Sequence, residues 1–186
     1  MVRRLSQPEA LLEATELALG EQEPLVTLLH AGRELAADGL REITRSRCEH
    51  AAGAVRSRSY SYPYALIASY DASVGVDIEE VAPVAAEFAD SICAPQEREH
   101  AQRLGLLCTD NTHAAIRLWS AKEALAKALG NALDYDPRRL ESPQLWPRCE
   151  HDSTLHLSGC WAARELELPA GYVGWVCWRR SVAAPS

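Results

Sequence analysis

The sequence predicts an α+β fold. Some segments alternate apolar and polar residues, which is typical of strands, and others repeat apolar residues every three or four positions, which is typical of helices. Along the chain these segments follow the order strand, helix, hairpin, helices, strands. The 186 residues suffice for one domain or for two small, closely packed halves.

The first third of the chain predicts one strand and one helix. Residues 1–23 read as an amphipathic helix or a loose arm, and residues 23–30 as a strand. Helical spacing then runs over residues 32–56, with Leu35, Leu40 and Ile43 among charged residues. Gly39 is a candidate break in that helix.

The middle of the chain predicts a hairpin followed by helices. Residues 64–70 and 74–78 form its two strands, rich in β-branched and aromatic residues, around a turn at Asp71. Residues 82–104 are helical with a break near Pro95, and residues 112–130 form a strong helix that ends at Gly130. After a loop over 134–147, strands are predicted at 153–159, 160–168 and 172–180.

Composition and charge exclude some classes of function. The formal net charge of −7 argues against general nucleic-acid binding. No apolar run is long enough to span a membrane, and no secretion signal is visible, so we expect a cytoplasmic protein with reduced cysteines. One zone, between Arg33 and Arg58, is locally basic.

Two acidic elements stand out. Asp77 and Glu79 interrupt the apolar strand "SVGVDIEE" and share one of its faces, because strand side chains alternate. In the helix "WSAKEALAK", Glu123 and Lys127 are four residues apart and share a face. Alone, the first pair fits a solvated strand end, and the second fits a surface ion pair. Together, the three carboxylates would suit Mg²⁺, and the adjacent lysines would suit phosphate groups.

"GVDIE", followed some 40 residues later by "WSAKEALAK", resembles the motifs of the 4′-phosphopantetheinyl transferases of the Sfp type. The resemblance is readable over about residues 59–176. It implies the 4′-phosphopantetheinyl transferase-like fold, with two pseudo-symmetric α+β halves in a single domain over 1–186. The halves would divide at about residue 75, the first being shortened.

The resemblance also implies a reaction. A serine of an acyl, peptidyl or aryl carrier protein would attack coenzyme A, a co-substrate, and adenosine 3′,5′-bisphosphate would leave. By motif, Asp77, Glu79 and Glu123 would hold Mg²⁺, and Lys127 and Lys122 would contact the phosphates. Glu123 would also be the candidate general base, directly or through water.

A further part of the resemblance concerns the start of the hairpin strand, where similar proteins place a Ser-His pair against the 3′-phosphate of coenzyme A. Ser59 stands at the serine position and Tyr60 at the histidine position. Tyr60 carries no positive charge near neutral pH. Arg56 or Arg58 could supply that charge. The basic zone that contains them is also a candidate dock for an acidic carrier protein.

Two other functions remain open at this point. One is a module that holds coenzyme A or a carrier protein without transferring the group, which Tyr60 in place of histidine would favour. The other is a different Mg²⁺-dependent enzyme of the same fold that cleaves a pyrophosphate. Release of adenosine 3′,5′-bisphosphate, with and without carrier protein, would separate the three.

Overall fold

The computed structural model describes residues 11–85, 87–103, 112–145, 155–157 and 160–180. Within these ranges the chain has an α+β fold, in which two antiparallel sheets of four strands each are flanked by helices. Among the described helices, none is both long and apolar enough to cross a membrane.

The first sheet is built from residues 12–70. Its strands are β1 (Leu12–Leu17), β2 (Leu25–Ala31), β3 (Val55–Ser61) and β4 (Tyr64–Tyr70), in the spatial order β1-β2-β4-β3. Helix α1 (Ala37–His50) connects β2 to β3 and covers one face of the sheet.

The second sheet holds the strands β5 (Val74–Glu80), β6 (Leu155–Leu157), β7 (Trp161–Glu165) and β8 (Tyr172–Arg179), in the order β5-β8-β7-β6. Between β5 and β6 the chain forms α2 (Phe88–Ile92), α3 (Pro95–Arg103) and α4 (Thr112–Leu129). Short 3₁₀ turns follow at Pro137–Arg139 and Pro143–Leu145.

The core lies in three layers between these elements. The inward apolar residues of β5, including Val74, Val76 and Ile78, pack with residues of β2, β4, β7 and β8 between the sheets. A second cluster lies between the first sheet and α1, and a third lies between the second sheet and α4. The layer order is therefore helix, sheet, sheet, helix.

The two sheets also share an order of connection. In each sheet, one strand (β2 or β5) is followed along the chain by a helix that packs on the sheet. The last strand of the sheet then lies between that strand and the strand just before it in the sequence, which gives the orders β2-β4-β3 and β5-β8-β7. The division of the chain into two pseudo-symmetric halves remains a prediction.

The structure confirms the hairpin strands, the break at Pro95 and the helix over 112–130. Gly130 has a φ of 80° and its N–H bonds to the carbonyl of Lys127, as expected of a residue that ends a helix. Residues 1–10, 86, 104, 146, 147, 153, 154, 158 and 159 of the predicted elements lie outside the described residues. The described cysteines, Cys48, Cys93, Cys160 and Cys177, are free thiols.

Two predictions for the region of the first sheet were wrong, and one strand was not predicted. Residues 12–17 form a strand rather than a helix or loose arm. The helix predicted over 32–56 covers only Ala37–His50 and includes Gly39 in its first turn. Residues 55–61 form β3, whose serines and arginines gave no apolar alternation for a strand prediction to use.

Candidate active site

The site begins where α4 crosses β5 at Gly75. A Cβ atom added to Gly75 would lie 2.0 Å from the carbonyl oxygen of Ala124 and 2.4 Å from the backbone nitrogen of Ala128. Only a glycine admits such a close approach between helix and strand. The contact places the last turns of α4, including Lys127, beside Asp77.

Asp77 is a buried carboxylate held by a cation and a hydroxyl. It is 2% exposed. Its Oδ1 accepts hydrogen bonds from Lys127 Nζ at 2.7 Å and from Ser59 Oγ at 2.8 Å. Its Oδ2 is buried and has no hydrogen-bond partner within the described structure. A buried charge of this kind is tolerated because its partner charge is also present. The oxygen Oδ2 remains available for a further hydrogen-bond donor or a cation.

Lys127 uses all three of its ammonium protons on protein oxygens. Besides Asp77 Oδ1, its Nζ donates to Ser59 Oγ and to the carbonyl of Val76, each at 3.2 Å. The side chain is 21% exposed. Contact with a phosphate would therefore replace one of these bonds.

Glu79 lies on the same face of β5 as Asp77. Its Oε1 accepts a hydrogen bond from the indole of Trp119 at 3.1 Å, and Trp119 packs edge-on against Phe88. Burial, and then the charge of Asp77, raise the pKa of Glu79 to about 7. Because the two carboxylates share a strand face, the charge of Asp77 adds to the effect of burial in disfavouring ionisation of Glu79.

Glu123 approaches the same region from α4. Burial raises the pKa of its carboxyl, with a further contribution from Asp77. The hydroxyl of Tyr135 donates to Glu123 Oε1 at 2.5 Å. Burial and this bond raise the pKa of Tyr135. Sequence reasoning missed Tyr135, which lies in a loop without periodicity and belongs to neither motif.

The three carboxylates are coupled electrostatically, but each is tied to its own partner. Across the described residues, no three His, Cys, Asp or Glu side chains are close enough together to hold a metal ion as they stand. The chemistry of the donors nevertheless fits a hard cation. A cation would supply the partner that Asp77 Oδ2 lacks, and it would offset the charge of Asp77, which together with burial raises the pKa of Glu79.

Lys122, predicted to contact phosphates, lies elsewhere. Its side chain is fully buried. Its ammonium donates to the carbonyls of Ile92 and Pro137 at 2.6 and 2.7 Å and pairs with Glu97 at 2.5 Å. Glu97 in turn accepts from the backbone nitrogens of Ala94 and Ser142. The phosphate role predicted for Lys122 is corrected to a structural one, because its position on α4 points it into the interior.

The residues of β3 that were predicted to bind the 3′-phosphate lie on two different faces of the strand. Strand alternation directs Ser59 toward Asp77, whereas Tyr60 packs with the α1 cluster on the opposite face. Arg58 Nε donates to the Tyr60 hydroxyl and Arg56 Nε donates to the carbonyl of Ala51, each at 2.8 Å. The structure therefore does not bring Ser59 together with Tyr60, Arg56 and Arg58 as one binding group.

Comparison with known proteins places the site in a family context. Residues 73–159, just under half of the chain, match the model of the 4′-phosphopantetheinyl transferase superfamily. Among curated proteins the sequence has no significant match. Among solved structures, the chain is similar to holo-[acyl-carrier-protein] synthase of Thermotoga maritima, with 18% identity and a TM-score of 0.40. That match covers 59% of this chain and 64% of the other, less than two thirds of its length.

Proposed function

We propose that this chain belongs to the 4′-phosphopantetheinyl transferase superfamily, whose model matches residues 73–159, and that it transfers the 4′-phosphopantetheine group of coenzyme A to a serine of an acyl, peptidyl or aryl carrier protein. The observation that carries the proposal is the buried Asp77 beside Lys127. One of its carboxylate oxygens lacks a partner, and two glutamates with raised pKa values lie around it.

In the proposed reaction, the serine hydroxyl attacks the phosphorus attached to pantetheine. The new P–O bond joins carrier and pantetheine, the pyrophosphate P–O bond breaks, and adenosine 3′,5′-bisphosphate leaves with the electron pair. The serine proton passes to Glu123, directly or through a water. Burial raises the pKa of Glu123, which favours uptake of a proton by its carboxylate.

Asp77, Glu79 and Glu123 would hold Mg²⁺. When bound, the ion would neutralise the pyrophosphate oxygens, which is the main requirement of phosphoryl transfer. Lys127 would direct a positive charge at the same oxygens by giving up one of its contacts with the protein. Trp119 and Tyr135 orient Glu79 and Glu123 by the hydrogen bonds described above.

We also propose the Sfp type, with one domain over 1–186 divided at about residue 75. The shared order of connection in the two sheets supports this division.

The test is incubation with coenzyme A, Mg²⁺ and several apo-carrier proteins, followed by mass spectrometry for a phosphopantetheine adduct. We expect an adduct with the wild-type chain and none with Glu123→Gln. Glu141→Gln, an exposed change outside the site, is the matched control and should retain transfer. No adduct on any carrier, beside a working transferase, would contradict the proposal.

A second candidate function is binding of coenzyme A without transfer. It is favoured by the finding that, within the described residues, the carboxylates do not stand close enough together to hold a metal ion, which transfer would need. Calorimetry that detects coenzyme A binding without release of adenosine 3′,5′-bisphosphate would support this candidate.

A further inference from the structure

Three serines of β3 face β5 across the junction of the two sheets. Ser57, Ser59 and Ser61 are two residues apart and so share a face. Ser57 Oγ accepts a hydrogen bond from the backbone nitrogen of Val76 at 3.1 Å, and Ser61 Oγ accepts one from that of Glu80 at 3.0 Å. The outer two serines therefore bind backbone. The middle serine, Ser59, has different partners.

Ser59 instead bonds two charged side chains. Its hydroxyl donates to Asp77 Oδ1 at 2.8 Å and accepts from Lys127 Nζ at 3.2 Å. A hydroxyl can do both at once. Ser59 is 7% exposed, so water cannot readily replace these bonds. The hydroxyl completes a polar triangle with Asp77 and Lys127.

We propose that Ser59 is a positioning residue that fixes the carboxylate of Asp77 and the ammonium of Lys127. This inference rests on the proposed function for its effect on transfer. It replaces the 3′-phosphate contact that the sequence predicted for Ser59.

The physical argument concerns the two oxygens of Asp77. With Lys127 as the only donor, a rotation of the carboxylate would exchange Oδ1 and Oδ2 at little cost. The bond from Ser59 adds a second donor at Oδ1, and bonds to ionised groups are stronger than neutral ones. Oδ1 is thereby retained between two donors, and Oδ2 remains the oxygen without a hydrogen bond. The same hydroxyl gives Lys127 one of its three acceptors.

The test compares substitutions at two serines of the same strand. Ser59→Ala and Ser59→Cys remove the strong hydrogen bond, Ser59→Thr keeps a hydroxyl, and Ser61→Ala removes a serine contact of β3 outside the triangle. We expect Ser59→Ala to lower kcat about tenfold, as for loss of a hydrogen bond to a charged group, with KM for coenzyme A changed less than about twofold. Ser59→Thr should recover most of kcat, and Ser61→Ala should match the wild type.

A second readout needs no substrate or metal. Acetylation of Lys127 by acetic anhydride, followed by mass spectrometry of its peptide, should be about threefold faster in Ser59→Ala, because one acceptor of the ammonium is lost. Ser61→Ala should leave this rate unchanged. Thermal unfolding checks that each variant is folded. If Ser59→Ala does not fold, Ser59→Cys takes its place in both measurements.

The outcomes separate the two proposals. If the wild type transfers nothing but acetylation of Lys127 still responds to Ser59, the proposed function fails and the positioning role stands. If Ser59→Ala and Ser61→Ala give the same acetylation rate and the same kcat, the positioning role is overturned. It is also overturned if Ser59→Thr loses as much activity as Ser59→Ala, since the hydroxyl is then not responsible.

Discussion

Substitution of Lys122 by methionine tests whether this residue supports the fold or binds phosphate. Methionine retains most of the volume but removes the charge and all three hydrogen bonds of the ammonium. Glu97, which is 3% exposed, would then be a buried carboxylate without a partner charge. Breaking one partner of such a pair costs about 3–5 kcal/mol.

Two further effects change the destabilisation expected for Lys122→Met. The carbonyls of Ile92 and Pro137 lose their bonds to the ammonium, at about 1 kcal/mol each. Glu97 keeps its bonds from the backbone nitrogens of Ala94 and Ser142, which offset part of the loss. We expect a net decrease of about 4 kcal/mol in the free energy of unfolding, a large share of the roughly 5–15 kcal/mol of a typical domain.

Urea unfolding followed by tryptophan fluorescence measures this loss. Arg41→Met is the control, because Arg41 forms an exposed pair with Asp38 and should change stability by less than about 1 kcal/mol. The double variant Glu97→Gln with Lys122→Met should be more stable than Lys122→Met alone, since it leaves no buried charge. A loss below about 1 kcal/mol for Lys122→Met, together with a raised KM for coenzyme A, would refute the structural role.

Three further changes probe the site. Gly75→Ala would place a Cβ 2.0 Å from a backbone carbonyl oxygen of α4; urea unfolding should show a loss of about 1–3 kcal/mol or more, and wild-type stability would contradict the close approach. Because the pKa of Glu79 is raised from 4.5 to about 7, the folded metal-free protein binds more protons than the unfolded chain between those pH values, so its stability should fall as pH rises through that window. Glu79→Gln should flatten the fall, measured as Tm against pH, and an unchanged slope would count against the assignment. Tyr135→Phe removes a bond that lowers the pKa of Glu123, so the rising limb of transfer activity should move to higher pH, whereas an identical profile would exclude this influence.

Where the sequence was regular, it was sufficient for prediction. Alternation in β5 placed Asp77 and Glu79 on one face, and the helical spacing of α4 placed Glu123 and Lys127 together, both as observed. The two motifs that carry these residues also predicted a resemblance to the superfamily whose model matches residues 73–159.

What the sequence could not predict depends on contacts between distant elements. Lys122 differs from Lys127 only in its direction from α4, and its partner Glu97 comes from another helix. Tyr135 reaches Glu123 from a loop. β3 was missed because its serines face polar groups of β5 rather than an apolar core, so the pattern of hydrophobicity gave no signal.

The serines of β3 have a consequence for the behaviour of the chain in solution. β3 and β5 each end their own sheet, and the open backbone rows of such strands promote aggregation. Here β3 covers the open row of β5, since Ser57 and Ser61 occupy two backbone donors of that strand. The edge of β5 is thereby less open to pairing with a strand of another molecule.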